Sequence, residues 1–442
     1  MFSQQNGFSP PTEPVTGSFI ALYNKDGPMA IDTVLIDSSG ANVVYLSLFE
    51  NSSGDGQYSY IVQNTSNSRI MLQREIGNVA IDDILNCGAI DDNGNIFVGG
   101  QYVSSTGNPG FLAKYSNTGN LLWQREYYRT LTGGNDPVGY WYGCDVENGG
   151  DNVYVAGSTT YVDGIDLNSY YGVVKYNTNG NMLARYKASN RFTSIQDLAV
   201  DSSNNYYITG RIVVANVSDD YGSVEKFYAN GTQVWANALR ISNNDTIFLS
   251  LAVDSANNVI AVGQENIVKF YANGSVNWVT QGVDVGLTGV AVDSSDDIYV
   301  AGQKGNGFPY VGYYAKFYSN GTPIFQNTID YTGNANALVT CQTDKIKHTG
   351  SNVYIGGKID AYAEYPNTNP GYEGFSAKLP DDGSATGTYA FFDIASNTTT
   401  YSTPSYATSA SGFGLGVVSN TSNAAGTATS SNGNIRMRIT PI

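Results

Sequence analysis

Asn152-Val-Tyr-Val-Ala-Gly157 is a short run of β-branched and aromatic residues closed by glycine, the pattern of a half-buried strand bounded by a turn. It returns as Asn95-Ile-Phe-Val-Gly-Gly100, Asn205-Tyr-Tyr-Ile-Thr-Gly210, Asn258-Val-Ile-Ala-Val-Gly263, Asp297-Ile-Tyr-Val-Ala-Gly302 and Asn352-Val-Tyr-Ile-Gly-Gly357. A seventh copy, Asn42-Val-Val-Tyr-Leu-Ser47, lacks the glycine. Copies spaced by about 40–57 residues specify repeated sheets around an axis.

Outward from this phrase the unit extends in both directions. Before it lies an apolar strand ending in Asp, as in Ala89-Ile-Asp91, Leu198-Ala-Val-Asp201, Leu251-Ala-Val-Asp254 and Val290-Ala-Val-Asp293. After it comes a strand carrying lysine: Lys114, Lys175, Lys226, Lys269, Lys316 and Lys378. An Asn-Gly or Asn-Thr-Gly turn follows, then a strand with Trp123, Trp235, Trp278 or Phe325 four residues past the glycine. Asn-Gly is expected to supply positive φ angles for a tight hairpin. The fold predicted is all-β: a propeller of four-stranded antiparallel blades, seven of them, with six or eight left open by the degenerate first unit.

The expected organisation is an N-terminal arm and closing strand at residues 1–30, a propeller at 31–394, and a Ser/Thr/Gly-rich extension at 395–442. Phe19-Ile-Ala-Leu22-Tyr23-Asn24 repeats the third strand ahead of the first unit. It is expected to close the ring, or to pack beside it, because closure removes an exposed sheet edge. The Pro-rich arm and the C-terminal extension are expected to be ordered by docking on the ring or on another subunit.

Charged residues make up 14% and tyrosines (34) outnumber Lys plus Arg (22), an all-β composition. A net charge of −16 argues against nucleic acid and anionic membrane surfaces as partners. Cys87, Cys144 and Cys341 form no close pair in sequence, which argues against a disulfide framework or zinc knuckle. Neither a secretory signal nor an apolar run long enough to span a bilayer is visible, so synthesis in a cytoplasm and no membrane insertion are expected.

The phrase set resembles the bacterial β-propeller repeat family known as SBBP repeats, over most of residues 31–394, and more distantly NHL and quinoprotein-like repeats. That resemblance implies a propeller and no single activity. The acidic, Tyr/Asn/Ser/Gly/Thr-rich, His-poor composition is similar in style to virion proteins of tailed bacteriophages.

Each conspicuous residue is weighed against blade chemistry. His348 is read as a solvated turn residue. The repeated lysines are read as covering the sheet while their amines reach a nearby carboxylate, and the tryptophans as packing between blades. The turns Asp91-Asp-Asn-Gly-Asn95 and Asp293-Ser-Ser-Asp-Asp297 offer oxygens that calcium could use, but the plainer turns at Asp201 and Asp254 favour Asp capping its own backbone. No catalytic residue, metal ligand or cofactor site is assigned. The contact residues expected are the loop aromatics Tyr127, Tyr128, Tyr140, Trp141, Tyr142, Tyr161, Phe308, Tyr310, Tyr362 and Tyr365, because loops on rigid scaffolds carry binding and Tyr and Trp dominate hot spots.

The function expected is a non-enzymatic structural or adhesion component of a phage particle, located in the virion. Its partners would be other virion proteins, further copies of itself, or a host-surface glycan. A lectin-like propeller and a polysaccharide hydrolase or lyase using paired carboxylates are the alternatives.

Overall fold

The computed structural model describes residues 18–24, 29–50, 56–66, 70–76, 82–103, 109–127, 139–163, 166–187, 192–213, 220–242, 245–305, 309–332, 340–360, 372–389, 392–397, 399–409, 416–417, 430–432 and 436–441. Its described elements are all strands, grouped in seven antiparallel sheets. Each sheet is one blade, with strands a to d from the axis outward. Strand a of blades 1 to 7 is Met29–Ile36, Asp82–Ile90, Gly139–Val146, Phe192–Val200, Ser250–Val253, Val285–Val292 and Thr340–Thr349. Blade 7 takes its fourth strand from the other end of the chain: Phe19–Asn24 pairs with Tyr372–Pro380, setting Leu22 opposite Phe375. The N-terminal strand therefore closes the ring.

The glycine that ends the repeated phrase has a steric cause. Strand a carries a β-bulge in blades 1, 2, 3, 4, 6 and 7, for example between Leu287 and Gly289. A backbone carbonyl at or just before the inner strand lies over the glycine of strand b, in blade 5 as well, where a Cβ at Gly263 would lie 2.0 Å from the Ile247 oxygen. A Cβ at Gly302 would lie 1.9 Å from the Gly286 oxygen, and one at Gly157 would lie 1.7 Å from the Tyr140 oxygen. In blade 1 the position is Ser47, whose hydroxyl hydrogen-bonds Ser59 at 2.6 Å.

The turns differ from the hairpin expected. Only the glycine takes positive φ, as at Gly180 (77°), Gly231 (84°) and Gly274 (89°). The Gly180 N–H donates to the Asn177 carbonyl at 2.9 Å, and the register shifts between Lys175 and Tyr176. This is a three-residue loop with a glycine bulge. The asparagine keeps ordinary φ and acts through its side chain, Asn230 Oδ1 accepting from Thr232 N at 2.9 Å.

Past blade 7 the chain turns back and runs around the outside of the ring. It adds a fifth strand to blade 6 (Phe392–Ser396, itself flanked by Gly387–Tyr389), blade 5 (Tyr401–Ser402), blade 4 (Tyr406–Ser409), blade 3 (Gly416–Val417) and blade 1 (Ser430–Asn432). It ends on blade 7, where Arg436–Pro441 pairs with the N-terminal strand. The chain thus makes one circuit as blades and a reverse circuit as a belt. Blade 2, ending in Leu121–Tyr127, has no fifth strand among the described residues. Belt side chains also anchor: Lys304 Nζ donates to Asn397 Oδ1 (2.9 Å) and Thr399 Oγ1 (2.5 Å), and the Tyr401 ring packs edge-on to Phe317 at 4.9 Å.

Candidate binding face

The antiparallel alternation separates two faces. The described a–b and c–d turns lie on one face, and strands b and d end, and strands c and a begin, at the other.

The turn face is occupied by blade chemistry. Asp201 Oδ1 accepts the N–H of Ser203 and Asn205 at 2.9 Å, and Asp254 does the same for Ala256 and Asn258. Their second oxygens meet the repeated lysines, at 3.3 Å in Asp201–Lys226 and 2.8 Å in Asp254–Lys269, and Asp91–Lys114 closes at 3.0 Å. The lysines also bridge blades. Lys114 reaches Thr178 Oγ1, and Lys378, whose blade has no turn aspartate, donates to the Thr65 carbonyl of blade 1 at 2.6 Å. Neighbouring turns are stitched by bonds such as Gly149 N to Asp92 Oδ2 (3.0 Å) and Ser255 Oγ to Asp296 Oδ2 (2.8 Å). The turn oxygens weighed for calcium thus already accept from backbone N–H groups and lysine, and no group of three or more His, Cys, Asp or Glu that could hold a metal occurs among the described residues.

Each fourth-strand aromatic covers the turn glycine of the next blade: Trp123 over Gly180, Trp235 over Gly274, Trp278 over Gly321 and Phe325 over Gly383. The indoles donate to turn carbonyls, Trp123 to Thr178 at 2.8 Å and Trp235 to Ala272 at 3.0 Å. A groove of about 750 Å³ follows the outer strand of blade 2, lined by Trp123, Gln124, Arg125, Thr178 and Asn179.

His348 is corrected from the solvated turn expected. It lies in strand a of blade 7, stacked on Tyr299 of blade 6 with ring centroids 4.8 Å apart, and its Nε2 is 3.1 Å from Asp381 Oδ2. The cysteines are also nearer than the sequence suggests. Cys87 and Cys144 meet between the inner strands of blades 2 and 3 as buried free thiols. Burial, and then the Cys87 thiol beside it, push the Cys144 thiol well up.

Burial would raise the turn carboxyls Asp254 and Glu147, but side-chain donors, Lys269 and Asn258 for the first and Asn152, Lys175 and Tyr154 for the second, hold both below the ordinary range. Their stabilisation is present above the unfolded value of about 4 and is lost as pH falls through the lower folded values. The Lys269–Asp254 side chains are 6% and 0% exposed, so Lys269→Met, which strands a buried carboxylate, is expected to cost about 3 kcal/mol at pH 7. In urea titrations the gap to the parent should narrow below pH 4, where Asp254 takes up a proton.

Six of the ten contact residues expected from sequence are described, in or beside strands that begin or end at the loop face. Tyr127 ends strand d of blade 2, and Tyr140, Trp141 and Tyr142 open strand a of blade 3. Tyr161 lies near the tip of the blade 3 hairpin, paired with Asn168, and Tyr310 precedes strand c of blade 6. Tyr128, Phe308, Tyr362 and Tyr365 lie outside the described residues. Trp141 is not a surface residue: it is 0% exposed, packed edge-on to Tyr127 at 5.1 Å and beneath Gly110. Its role is packing between blades. Tyr140 and Tyr142 are half-exposed and stack in parallel, centroids 6.1 Å apart at 11°.

Two features of this face were missed from sequence. The b and c strands of blade 3, Asn152–Asp163 and Asp166–Asn177, have twelve residues each against five in blade 5. At about 3.3 Å per residue this hairpin is roughly 23 Å longer than that of blade 5. The second feature is the bulge residue of the innermost strand, five positions before the turn acid. It is Asp32, Asn86, Tyr142, Gln196 and Thr288 in blades 1, 2, 3, 4 and 6, half-exposed in each. The signal was a polar or tyrosine position at constant spacing inside an otherwise apolar strand.

This is a seven-bladed β-propeller with a strand belt. No protein-family model and no curated protein matches the chain. Among solved structures it is similar to the β-propeller domain of the Trilobed protease from Pyrococcus furiosus, at 9% identity over 76% of this chain and 94% of that one, TM-score 0.42. It is similar also to the Dos1 propeller, at 9% identity over 83% and 94%, TM-score 0.44.

Proposed function

We propose that the protein is a non-enzymatic binding scaffold of a bacteriophage particle, a tail, fibre-associated or decoration component that works through its loop face and perimeter. The observation that carries this reading is the division of labour between the faces. The repeat's acids, lysines and tryptophans are spent on holding blades together, while the irregular aromatic residues and the long blade 3 hairpin gather on the opposite face. The SBBP-like phrases supply the ring in this reading, and the phage-like composition supplies its setting. Its partners are other virion proteins or further copies of the chain, with no part for nucleic acid or membrane insertion.

Quantitative mass spectrometry of particles purified from cells producing the protein tests it. The chain is expected at a fixed copy number per particle. A stable monomer left in the lysate and absent from particles overturns the reading.

The parallel, half-exposed Tyr140 and Tyr142 favour one second reading, a host-glycan site at the inner rim, since flat rings stack on sugars. A glycan array should then give binding that Tyr142→Ala removes at least tenfold, and an array without signal rejects it.

A further inference from the structure

Blade 4 departs from the repeat at three positions that meet on one face. Tyr206 stands where other second strands have Ile96, Val153, Val259, Ile298 and Val353; Glu225 stands where third strands have Ala113, Val174, Val268, Ala315 and Ala377. Gln233 stands where fourth strands have Leu121, Met182, Val276 and Pro323. Tyr206 and Gln233 both pair with Phe227, two residues from Glu225, so all three share the face turned to blade 3. Gln233 Nε2 donates to Glu225 Oε2 at 3.0 Å, whereas Glu225 Oε1 and the Tyr206 hydroxyl are buried and meet no partner among the described residues. Both residues are 0% exposed.

The titratable groups around this carboxyl are tyrosines. Tyr206 belongs to its own blade, and Tyr154 and Tyr186 come from blade 3, their rings 4.9 and 6.0 Å from that of Tyr206. Behind them Glu147 is bound to Lys175. Among the described residues no cation pairs with Glu225. The seam also lacks a fastening used elsewhere. Where blades 2, 4 and 5 have Trp123, Trp235 and Trp278 donating to the next blade, blade 3 has Ala184, and the Tyr186 ring covers Gly231 instead. The axial half of the seam is fastened, by Val200 N to Asp145 Oδ2 and Asn148 Nδ2 to the Asp201 carbonyl, each 2.8 Å. Desolvation pushes the Asp145 carboxyl up to about 6.

We infer that the outer half of the seam between blades 3 and 4 is a proton-held latch: Glu225 packs there as a neutral acid, and its ionisation loosens this seam before the others. Burial pushes the Glu225 carboxyl up to about 8, against which the Gln233 hydrogen bond acts only in part. Because the folded value lies above the ordinary one of about 4.3, closure is fully favoured below about pH 4, weakens as pH rises from there to about 8, and changes no further once the closed form is ionised too.

Hydrogen exchange of the intact protein, followed by mass spectrometry from pH 6 to 10 and corrected for intrinsic rates, tests the latch. Protection of Met182–Lys187 and Gln233–Ile241 is expected to fall by about tenfold per pH unit between pH 6 and 8 and to level off above 8, while Val276–Gly282 and Pro323–Tyr331 at the blade 5–6 seam hold theirs. Glu225→Gln, which keeps the shape and cannot ionise, should abolish the response. A uniform loss at all seams, or the same local loss in Glu225→Gln, overturns the inference. Infrared spectroscopy of the parent protein supplies a reading that does not depend on the variant folding. A neutral-carboxyl C=O band should be present at pH 7 and vanish by pH 9.5, and its absence at pH 7 is equally fatal to the latch.

Discussion

Removing the belt by ending the chain before Gly387 is expected to turn a closed ring into an unstable, self-associating one. The deletion strips the outer edges of blades 6, 5, 4, 3 and 1, and takes the outer partner from the closing strand Phe19–Asn24. It also removes the buried Ile394 and the Lys304 and Tyr313 contacts with Thr399 and Tyr401. Losing the Ile394 and Tyr401 side chains alone removes on the order of 4 kcal/mol of burial. Each uncovered edge presents a row of unpaired N–H and C=O groups, a template for another chain. Denaturant titration should give a lower midpoint, and light scattering should find oligomers. A monomer with unchanged stability would mean that the belt only decorates the ring.

Gly302→Ala is expected to be among the most damaging single substitutions. Its methyl would sit 1.9 Å from the Gly286 carbonyl oxygen and 2.9 Å from Leu287 Cα. Both are backbone atoms of the bulged inner strand, and no rotamer relieves the clash. A penalty of about 3–5 kcal/mol is expected, at or beyond the upper end for overpacking. Gly286→Ala is the control. Its Cβ would meet only the flexible Gln303 side chain, at 3.4 Å, so the cost should stay below about 1 kcal/mol. Equal costs would show that the bulge, not the glycine, is what yields.

The ring was legible from sequence because its determinants are local and repeated. An aspartate that caps its own backbone, a lysine reaching that aspartate, and a glycine beneath a neighbouring backbone carbonyl recur at similar places in the blades, so one chemical reading covers most of them. The candidate site was legible only in part. Tyr140 and Tyr142 do fall on the loop face, but Trp141 between them is turned inward, because strand alternation sends it against Gly110 and Tyr127.

What the sequence by itself determined, then, is the blade: its four strands and the places of its turns. Tertiary structure alone decided the belt and the blade 3–4 seam. Belt strands pair largely through backbone groups that every residue carries, so an uncharged Ser/Thr/Gly-rich tail holds no side-chain pattern announcing its path. Glu225, Gln233 and Tyr206 lie in separate strands, and only the stacking of blade 4 on blade 3 makes them one buried cluster.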